Sequence, residues 1–219
     1  MGAASAFWTF AVVVGLLTLT PGLDTALILR TAARGRRREA WGVVLGIQTG
    51  TLTWGTLSSL GVTALLAASH AAYDAVRLAG AAYLLWMGAL MLWNSRRRRH
   101  GVVQPRPAEE PAQEQRTDAV AGLATGWRRG VLTNMLNPKI GVFYVAVLPQ
   151  FIPASAPHLA MGVALTCVHV AEGLVWSSVL VAFAHVLRGW LRRPLAQRVL
   201  DRITGTVIIG FGVKLAIGD

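Results

Sequence analysis

The stretch TLTPGLDTALILR, residues 18–30, interrupts an apolar run that covers residues 7–29. Pro21 has no backbone N–H and clashes with the preceding helical turn, and Gly22 adds flexibility at the same point. We therefore predict a broken helix here. If the run crosses a membrane, a carboxylate at its centre costs about 2.5–3.5 kcal/mol, and Asp24 lies roughly six residues from the inner end. We expect Asp24 to face a cavity or a partner group, unless it is a hydrogen-bonded structural residue beside a simple proline kink.

The composition favours a membrane protein. Of the 219 residues, 54% are hydrophobic and 14% are charged, whereas a soluble domain has about 25% charged residues. The apolar residues also form long runs with little polar interruption, which predicts membrane spans rather than amphipathic helices with a wetted face. A compact soluble helix bundle is the alternative that these two features disfavour.

Six apolar segments are candidate membrane spans. They are Ser5–Leu29, Trp41–Ala67, Ala75–Trp93, Gly130–Ile152, Leu159–Leu187 and Ile203–Ile217. The sixth is the weakest, so five spans with an interfacial last segment are an alternative. Between the third and the fourth, residues 95–129 are rich in Pro, Gln and charge, which predicts a mobile cytoplasmic linker.

We predict an all-α polytopic membrane protein with six transmembrane helices. The linker separates a first half, residues 1–94, from a second half, residues 130–219, with three spans each. Because three is an odd number, the two halves enter the membrane in opposite orientations, as inverted repeats do in many secondary transporters.

The net charge of +11 is explained by topology rather than by nucleic-acid binding. Most basic residues fall into three clusters: Arg30, Arg34 and Arg36–Arg38; Arg96–Arg99, Arg106, Arg116, Arg128 and Arg129; and Arg188, Arg192, Arg193, Arg198 and Arg202. The clusters follow segments one, three and five, and the other two loops contain no Lys or Arg. The positive-inside rule therefore predicts cytoplasmic basic loops and an external N-terminus.

The fourth segment contains a second predicted break. Pro138 interrupts it, flanked by Asn137 and Lys139. Lys139 is expected either to pair with Asp24, which would neutralise both charges, or to extend alone to the cytoplasmic surface.

The second segment contains a row of glycines. Gly42, Gly46 and Gly50 follow a small-xxx-small spacing, which is typical of close helix packing within one chain or between copies of a homo-oligomer. Gln48 and Thr49 lie among them and are expected either to contact a substrate or to bond to a neighbouring helix.

The fifth segment carries His169 and Glu172, which are three residues apart and share one helix face. A proton relay, a metal site that includes the nearby Cys167, and a structural hydrogen-bonded pair all remain open. The sequence contains no P-loop, Ser/His/Asp set or His-Glu-x-x-His motif. We therefore expect no enzymatic activity, no cofactor and no resident metal, with any uphill transport driven by an ion gradient or a partner protein.

The motifs TPGLD, GRRREAWGVVLGIQTG and NPKIGVFYVAVLPQF resemble the lysine exporter (LysE/RhtB) family of amino acid exporters. The resemblance covers essentially the whole chain. It implies a bacterial inner-membrane exporter of amino acids or close derivatives that works by proton antiport. Pro21, Gly22 and Asp24 match the first family motif, with Leu23 where many members have a second proline, and Asn137, Pro138 and Lys139 match the second.

The leading hypothesis is export of a zwitterion by alternating access. Amides at the broken helix ends would bind its carboxylate, carbonyl groups would bind its ammonium, and Asp24 would attract the ammonium or carry the coupling proton. Lys139 would hold Asp24 in the empty site or meet the carboxylate in the full one. A cation or metal-ion exporter of the same superfamily is the alternative, and a membrane scaffold would leave the buried charges unexplained.

Overall fold

The computed structural model describes residues 3–97, 122–153, 155–191 and 193–217. Within these ranges the chain forms helices and no strands, so the predicted all-α class is confirmed. The α-helices are α1 (Ala3–Leu19), α2 (Leu23–Ala32), α3 (Arg37–Ala68), α4 (His70–Arg97), α5 (Leu123–Met135), α6 (Pro138–Val142), α7 (His158–Ala182), α8 (Ala184–Leu191) and α9 (Pro194–Ile217). A π-helix, Phe143–Val147, and a 3₁₀-helix, Leu148–Phe151, continue α6.

Both predicted helix breaks are present, with nearly equal angles. α1 and α2 meet at 54°, and α5 meets the run Pro138–Phe151 at 55°. At the first break Pro21 lacks the N–H that a continuing helix needs, and Gly22 is extended, with φ −142° and ψ −162°. At the second break the Asn137 side chain caps α6 by accepting a 3.1 Å hydrogen bond from Lys139 N. Each break therefore leaves helix ends inside the bundle.

The helices extend into both ends of the predicted linker. α4 ends at Arg97 and α5 begins at Leu123, so residues at each end of the range 95–129 are helical. The rest of the linker, 98–121, lies outside the described residues, so its mobility stays a prediction. The early start of α5 depends on close packing against α3, which composition does not reveal.

The fifth and sixth predicted segments have different bounds in the structure. The fifth, Leu159–Leu187, divides into α7 and α8 because the backbone leaves helical geometry at Phe183, with φ −111° and ψ 26°. The sixth, Ile203–Ile217, is only the second part of α9, which begins at Pro194. Proline is favoured in the first turn of a helix, so α9 begins within the basic connection.

The count of six spans stays a prediction. Among the described residues, α7 is the one helix that is by itself long and apolar enough to cross a membrane, and each bent pair, taken as a single span, adds another. A shorter apolar stretch, Leu78–Trp93, lies within α4. The outer helix faces carry many exposed apolar side chains, as a surface in contact with lipid does. Examples are Trp8, Val12, Leu132, Leu136, Val175 and Val186.

The bundle is organised around three extensive helix contacts, α3 with α5, α4 with α9 and α3 with α7. In addition, α7 packs against both α1 and α2, and α3 contacts both α5 and α6. The first broken segment therefore lies beside α7, and the second lies beside α3. The two breaks face a common central region.

Glycines make the α3–α5 contact unusually close. A Cβ atom at Gly42 would lie 2.9 Å from the carbonyl carbon of Leu123, and one at Gly46 would lie 2.8 Å from Val131 N and overlap the Trp127 carbonyl oxygen. These obstacles are backbone atoms, which cannot rotate away. The glycine row of α3 therefore packs against another helix of the same chain.

The contact is reciprocal, because α5 presents its own glycines to α3. A Cβ atom at Gly126 would lie 2.9 Å from Val43 N, and one at Gly130 would lie 2.9 Å from Ile47 N. The two backbones thus approach each other from both sides, which fixes the depth of the second break relative to α3.

A buried carboxylate near the N-terminal end of α3 joins the same two helices. Glu39 is 1% exposed and lies 3.0 Å from both Arg36 Nη1, just before its own helix, and Arg129 Nη1 of α5. Arg202 Nε of α9 likewise donates to Ser95 Oγ of α4, at 3.0 Å. Glu39 therefore connects the first basic cluster with the second, and Arg202 ties the third to the end of α4.

We expect Glu39→Gln to lower the free energy of unfolding by about 2 kcal/mol, since it removes the charge that accepts a hydrogen bond from Arg129 and pairs with Arg36. Thermal unfolding of the purified protein in detergent measures the change. Arg38→Gln is the matched control, because Arg38 is an exposed neighbour. Equal melting temperatures for wild type and Glu39→Gln would show that the buried ion pairs contribute nothing net.

Candidate functional site

The two helix breaks, α3 and α7 enclose a cavity of about 60 Å³. One water molecule needs about 10–15 Å³ of such cavity space, so this cavity has room for a few waters. It is lined by six of the residues singled out from the sequence: Gly22, Asp24, Gln48, Asn137, Lys139 and His169. Pro21 and Pro138 create the breaks without being among its lining residues, and Glu172 also lies outside the lining.

Asp24, in the first turn of α2, is held by a residue that the sequence analysis missed. Asn134 Nδ2 donates to Asp24 Oδ2 at 3.0 Å and to Thr51 Oγ1 at 3.3 Å. Asn134 is fully buried, and it reaches this position because Gly50 has no side chain; a Cβ atom there would lie 2.6 Å from Asn134 Oδ1. The available signal was the spacing of Asn134, which precedes Asn137 by one helical turn.

Lys139 adopts neither of the two predicted arrangements. Its Nζ donates to the carbonyl oxygens of Leu17, at 2.8 Å, and Thr20, at 3.1 Å. Among the described residues no ion pair joins it to Asp24, although both side chains line the same cavity. The ammonium therefore binds the carbonyl end of α1 within the bundle.

Several polar atoms on the cavity lining have no hydrogen-bond partner. Thr18 Oγ1, Asp24 Oδ1, Asn134 Oδ1 and Trp176 Nε1 are buried and unpaired within the described structure. Buried polar groups are nearly always hydrogen-bonded, so a cluster of unpaired ones indicates a place where a ligand or water bonds. The set contains both donors and acceptors, which suits a zwitterion.

Gln48 and its neighbour Thr49 point in different directions. Gln48 lines the cavity beside α7, where a Cβ atom at Gly173 would lie 2.8 Å from Gln48 Nε2. Thr49 instead accepts a 3.1 Å hydrogen bond from Trp127 Nε1 on an exposed face. Only the first of the two is placed to contact a ligand.

His169 and Glu172 share a helix face but do not contact the same surroundings. His169 Nδ1 is 2.8 Å from the Tyr144 hydroxyl, and the two rings stack with centroids 5.8 Å apart. Glu172 Oε2 is buried without a hydrogen-bond partner and faces α1 at Gly15, where a Cβ atom would lie 3.3 Å away. Of the two, His169 lines the cavity and Glu172 does not.

The metal-site alternative gains no support. In the described ranges no three His, Cys, Asp or Glu side chains come together as metal ligands. Cys167 is exposed on α7, whereas His169 is buried in the cavity wall. One helix therefore presents these two residues to different environments.

We expect Asn134→Ala to weaken substrate binding by about tenfold, because Asp24 loses a hydrogen bond worth about 1.5–3 kcal/mol. The dependence of transport on substrate concentration in proteoliposomes measures it. Thr49→Ala is the control, since its hydroxyl bonds to Trp127 outside the cavity. An unchanged half-saturation concentration in Asn134→Ala would mean that Asp24 does not need this amide.

The chain matches a protein-family model over a range that includes both helix breaks. Residues 15–219 match the family model "LysE type translocator". The chain belongs to the LysE family of translocators. The resemblance predicted from the motifs is thereby confirmed, and membership in a family of translocators agrees with the expectation that the chain is not an enzyme.

Relatives of this LysE family chain match over nearly their full length. It is 28% identical to the threonine efflux protein of Escherichia coli (strain K12), covering 96% of this chain and 97% of the relative. It is 27% identical to the homoserine/homoserine lactone efflux protein of Salmonella typhimurium (strain LT2), covering 95% and 96%. It is 25% identical to the uncharacterized membrane protein YrhP of Bacillus subtilis (strain 168), covering 94% and 95%. No solved structure matches it.

Proposed function

We propose that this protein exports small amino acids or close derivatives across the bacterial cytoplasmic membrane as a secondary active transporter. The observation that carries the proposal is the cavity between the two broken helices, which holds a carboxylate, an ammonium and unpaired donors and acceptors. The names of the threonine and homoserine efflux relatives support the substrate class.

The cavity has complementary groups for both charges of an amino acid. Asp24 Oδ1 is unpaired and attracts the substrate ammonium. The first-turn amides of α2 follow Gly22, which has no side chain to cap them, and they attract the carboxylate. Gln48, Asn137 and His169 supply polar contacts at the cavity wall.

Transport proceeds by alternating access between two inverted halves. The near-equal break angles of 54° and 55° support a repeat. So do the contacts of α7 with the first broken segment and of α3 with the second. The basic clusters then lie in the cytoplasm, with six spans and an external N-terminus. Exchange of substrate for an incoming proton drives export, with Asp24, His169 and Glu172 as candidate proton carriers.

Purified protein in proteoliposomes tests the proposal. Vesicles loaded with one unlabelled amino acid are placed in a trace of the same labelled amino acid, and counterflow is followed across a panel of neutral, basic and acidic substrates. We expect concentrative uptake of small neutral amino acids and faster net efflux under an inward proton gradient. Absence of counterflow for every amino acid would contradict the proposal. Movement of divalent cations in its place would restore the cation-exporter alternative.

A further inference from the structure

The contact between Lys139 and the end of α1 follows from the chemistry of proline. In a continuing α-helix the carbonyl of Leu17 accepts a hydrogen bond from the N–H four residues later, which is the position of Pro21. Proline has no N–H, so this carbonyl has no partner in its own helix. The Thr20 carbonyl also lies at the break, and both carbonyl oxygens accept from Lys139 Nζ.

The site that Lys139 occupies is suited to any primary ammonium. The carbonyl end of a helix carries partial negative charge and favours a cation. An ammonium group has three N–H donors, and Lys139 uses two of them on these carbonyls. The carbonyl site lies at the cavity, because Thr20 and Lys139 both line it. A second cation that enters the cavity would therefore find this site already filled by Lys139.

We propose that the carbonyl groups of Leu17 and Thr20 form the binding site for the substrate ammonium, and that Lys139 is a tethered substitute which fills this site in the empty carrier. The inference rests on the proposed function, since it assumes that the transported molecule carries a primary ammonium. It assigns Lys139 a positioning role different from pairing with Asp24.

Substitution of one ammonium by another explains how an empty carrier can reorient. An entering amino acid displaces Lys139 from the carbonyl groups, and the displaced side chain is then available to the substrate carboxylate. After release, Lys139 returns and satisfies the two carbonyls, which would otherwise be buried without a donor at considerable cost. Net export requires the carrier to reorient without substrate, whereas exchange of one substrate molecule for another does not.

The test compares net efflux with exchange in the same proteoliposomes, using wild type and Lys139→Met. We expect Lys139→Met to lower net efflux by at least about tenfold, as the loss of hydrogen bonds from a charged donor does. Exchange should fall much less than net efflux, because substrate fills the carbonyl site in both directions. Millimolar methylammonium on both sides should restore net efflux in Lys139→Met, and tetramethylammonium, which has no N–H, should not.

An equal loss of net efflux and exchange, or failure of methylammonium to restore efflux, would overturn the inference. Pro21→Ala is a second test that leaves Lys139 in place. It returns an N–H to the partner position of the Leu17 carbonyl, and we expect the half-saturation concentration to rise by about tenfold. Unchanged affinity in Pro21→Ala would also overturn it. If wild type itself catalyses no amino-acid exchange, the proposed function fails rather than this assignment.

Discussion

Asp24→Asn is expected to lower amino-acid export by about 100-fold, because the cavity loses the negative charge that attracts the substrate ammonium and a charge-assisted hydrogen bond worth about 1.5–3 kcal/mol. The carboxylate lies in the first turn of α2, bonded to Asn134 on one oxygen and unpaired on the other. An Asn side chain has the same shape and can still accept from Asn134. The loss should therefore appear in transport rather than in folding.

Proteoliposome counterflow measures the loss, and thermal unfolding in detergent checks that the variant is intact. Asp74→Asn is the matched control, since Asp74 is exposed on α4 away from the cavity. Asp24→Glu keeps the charge and should retain part of the activity. Full transport by Asp24→Asn, with normal proton coupling, would show that this carboxylate neither binds substrate nor carries the proton.

The second large effect is expected from Gly46→Ala in the α3–α5 contact. Its Cβ atom would overlap the Trp127 carbonyl oxygen and lie 2.8 Å from Val131 N, so α5 would have to move as a unit. Overpacking of this kind costs about 1–3 kcal/mol when side chains can adjust, and more when the obstacle is backbone. We expect a protein that accumulates poorly and unfolds at a clearly lower temperature.

Gly61→Ala on the same helix is the matched control for this prediction. A Cβ atom at Gly61 would meet nothing within 4 Å, and alanine favours a helix over glycine by about 1 kcal/mol. The two identical substitutions should therefore change stability in opposite directions. Similar melting curves for Gly46→Ala and Gly61→Ala would mean that the close approach of α3 and α5 is not required.

The interrupted helices were predictable because their causes are local. Pro21 and Pro138 cannot continue a helix in any surroundings, and the breaks form where these residues stand. The family motifs were likewise recognisable, because each is a run of neighbouring residues. The starting residues of α5 and α9 were not predictable from the apolar pattern. Leu123 and Pro194 begin helices that are stabilised by packing or capping outside the apolar segments.

The sequence predicted part of the cavity lining and little of its hydrogen bonding. The positions of Asp24, Gln48 and Lys139 identified polar side chains in apolar segments, and these side chains line one cavity. Asn134 was not predicted, although it stands in an apolar segment one helical turn before Asn137. Its role depends on Gly50 of another helix, which leaves the space that it fills.

The amino-acid sequence is enough to show that this chain is apolar, helical and broken at two prolines. These properties follow from covalent chemistry and composition, which act over a few residues or over the whole chain. The packed helices select the partners: Lys139 bonds to the carbonyls of Leu17 and Thr20, and Asn134, rather than Lys139, holds Asp24. The physical reason is that a long side chain can reach several acceptors, and the packing distance between helices selects which one it meets.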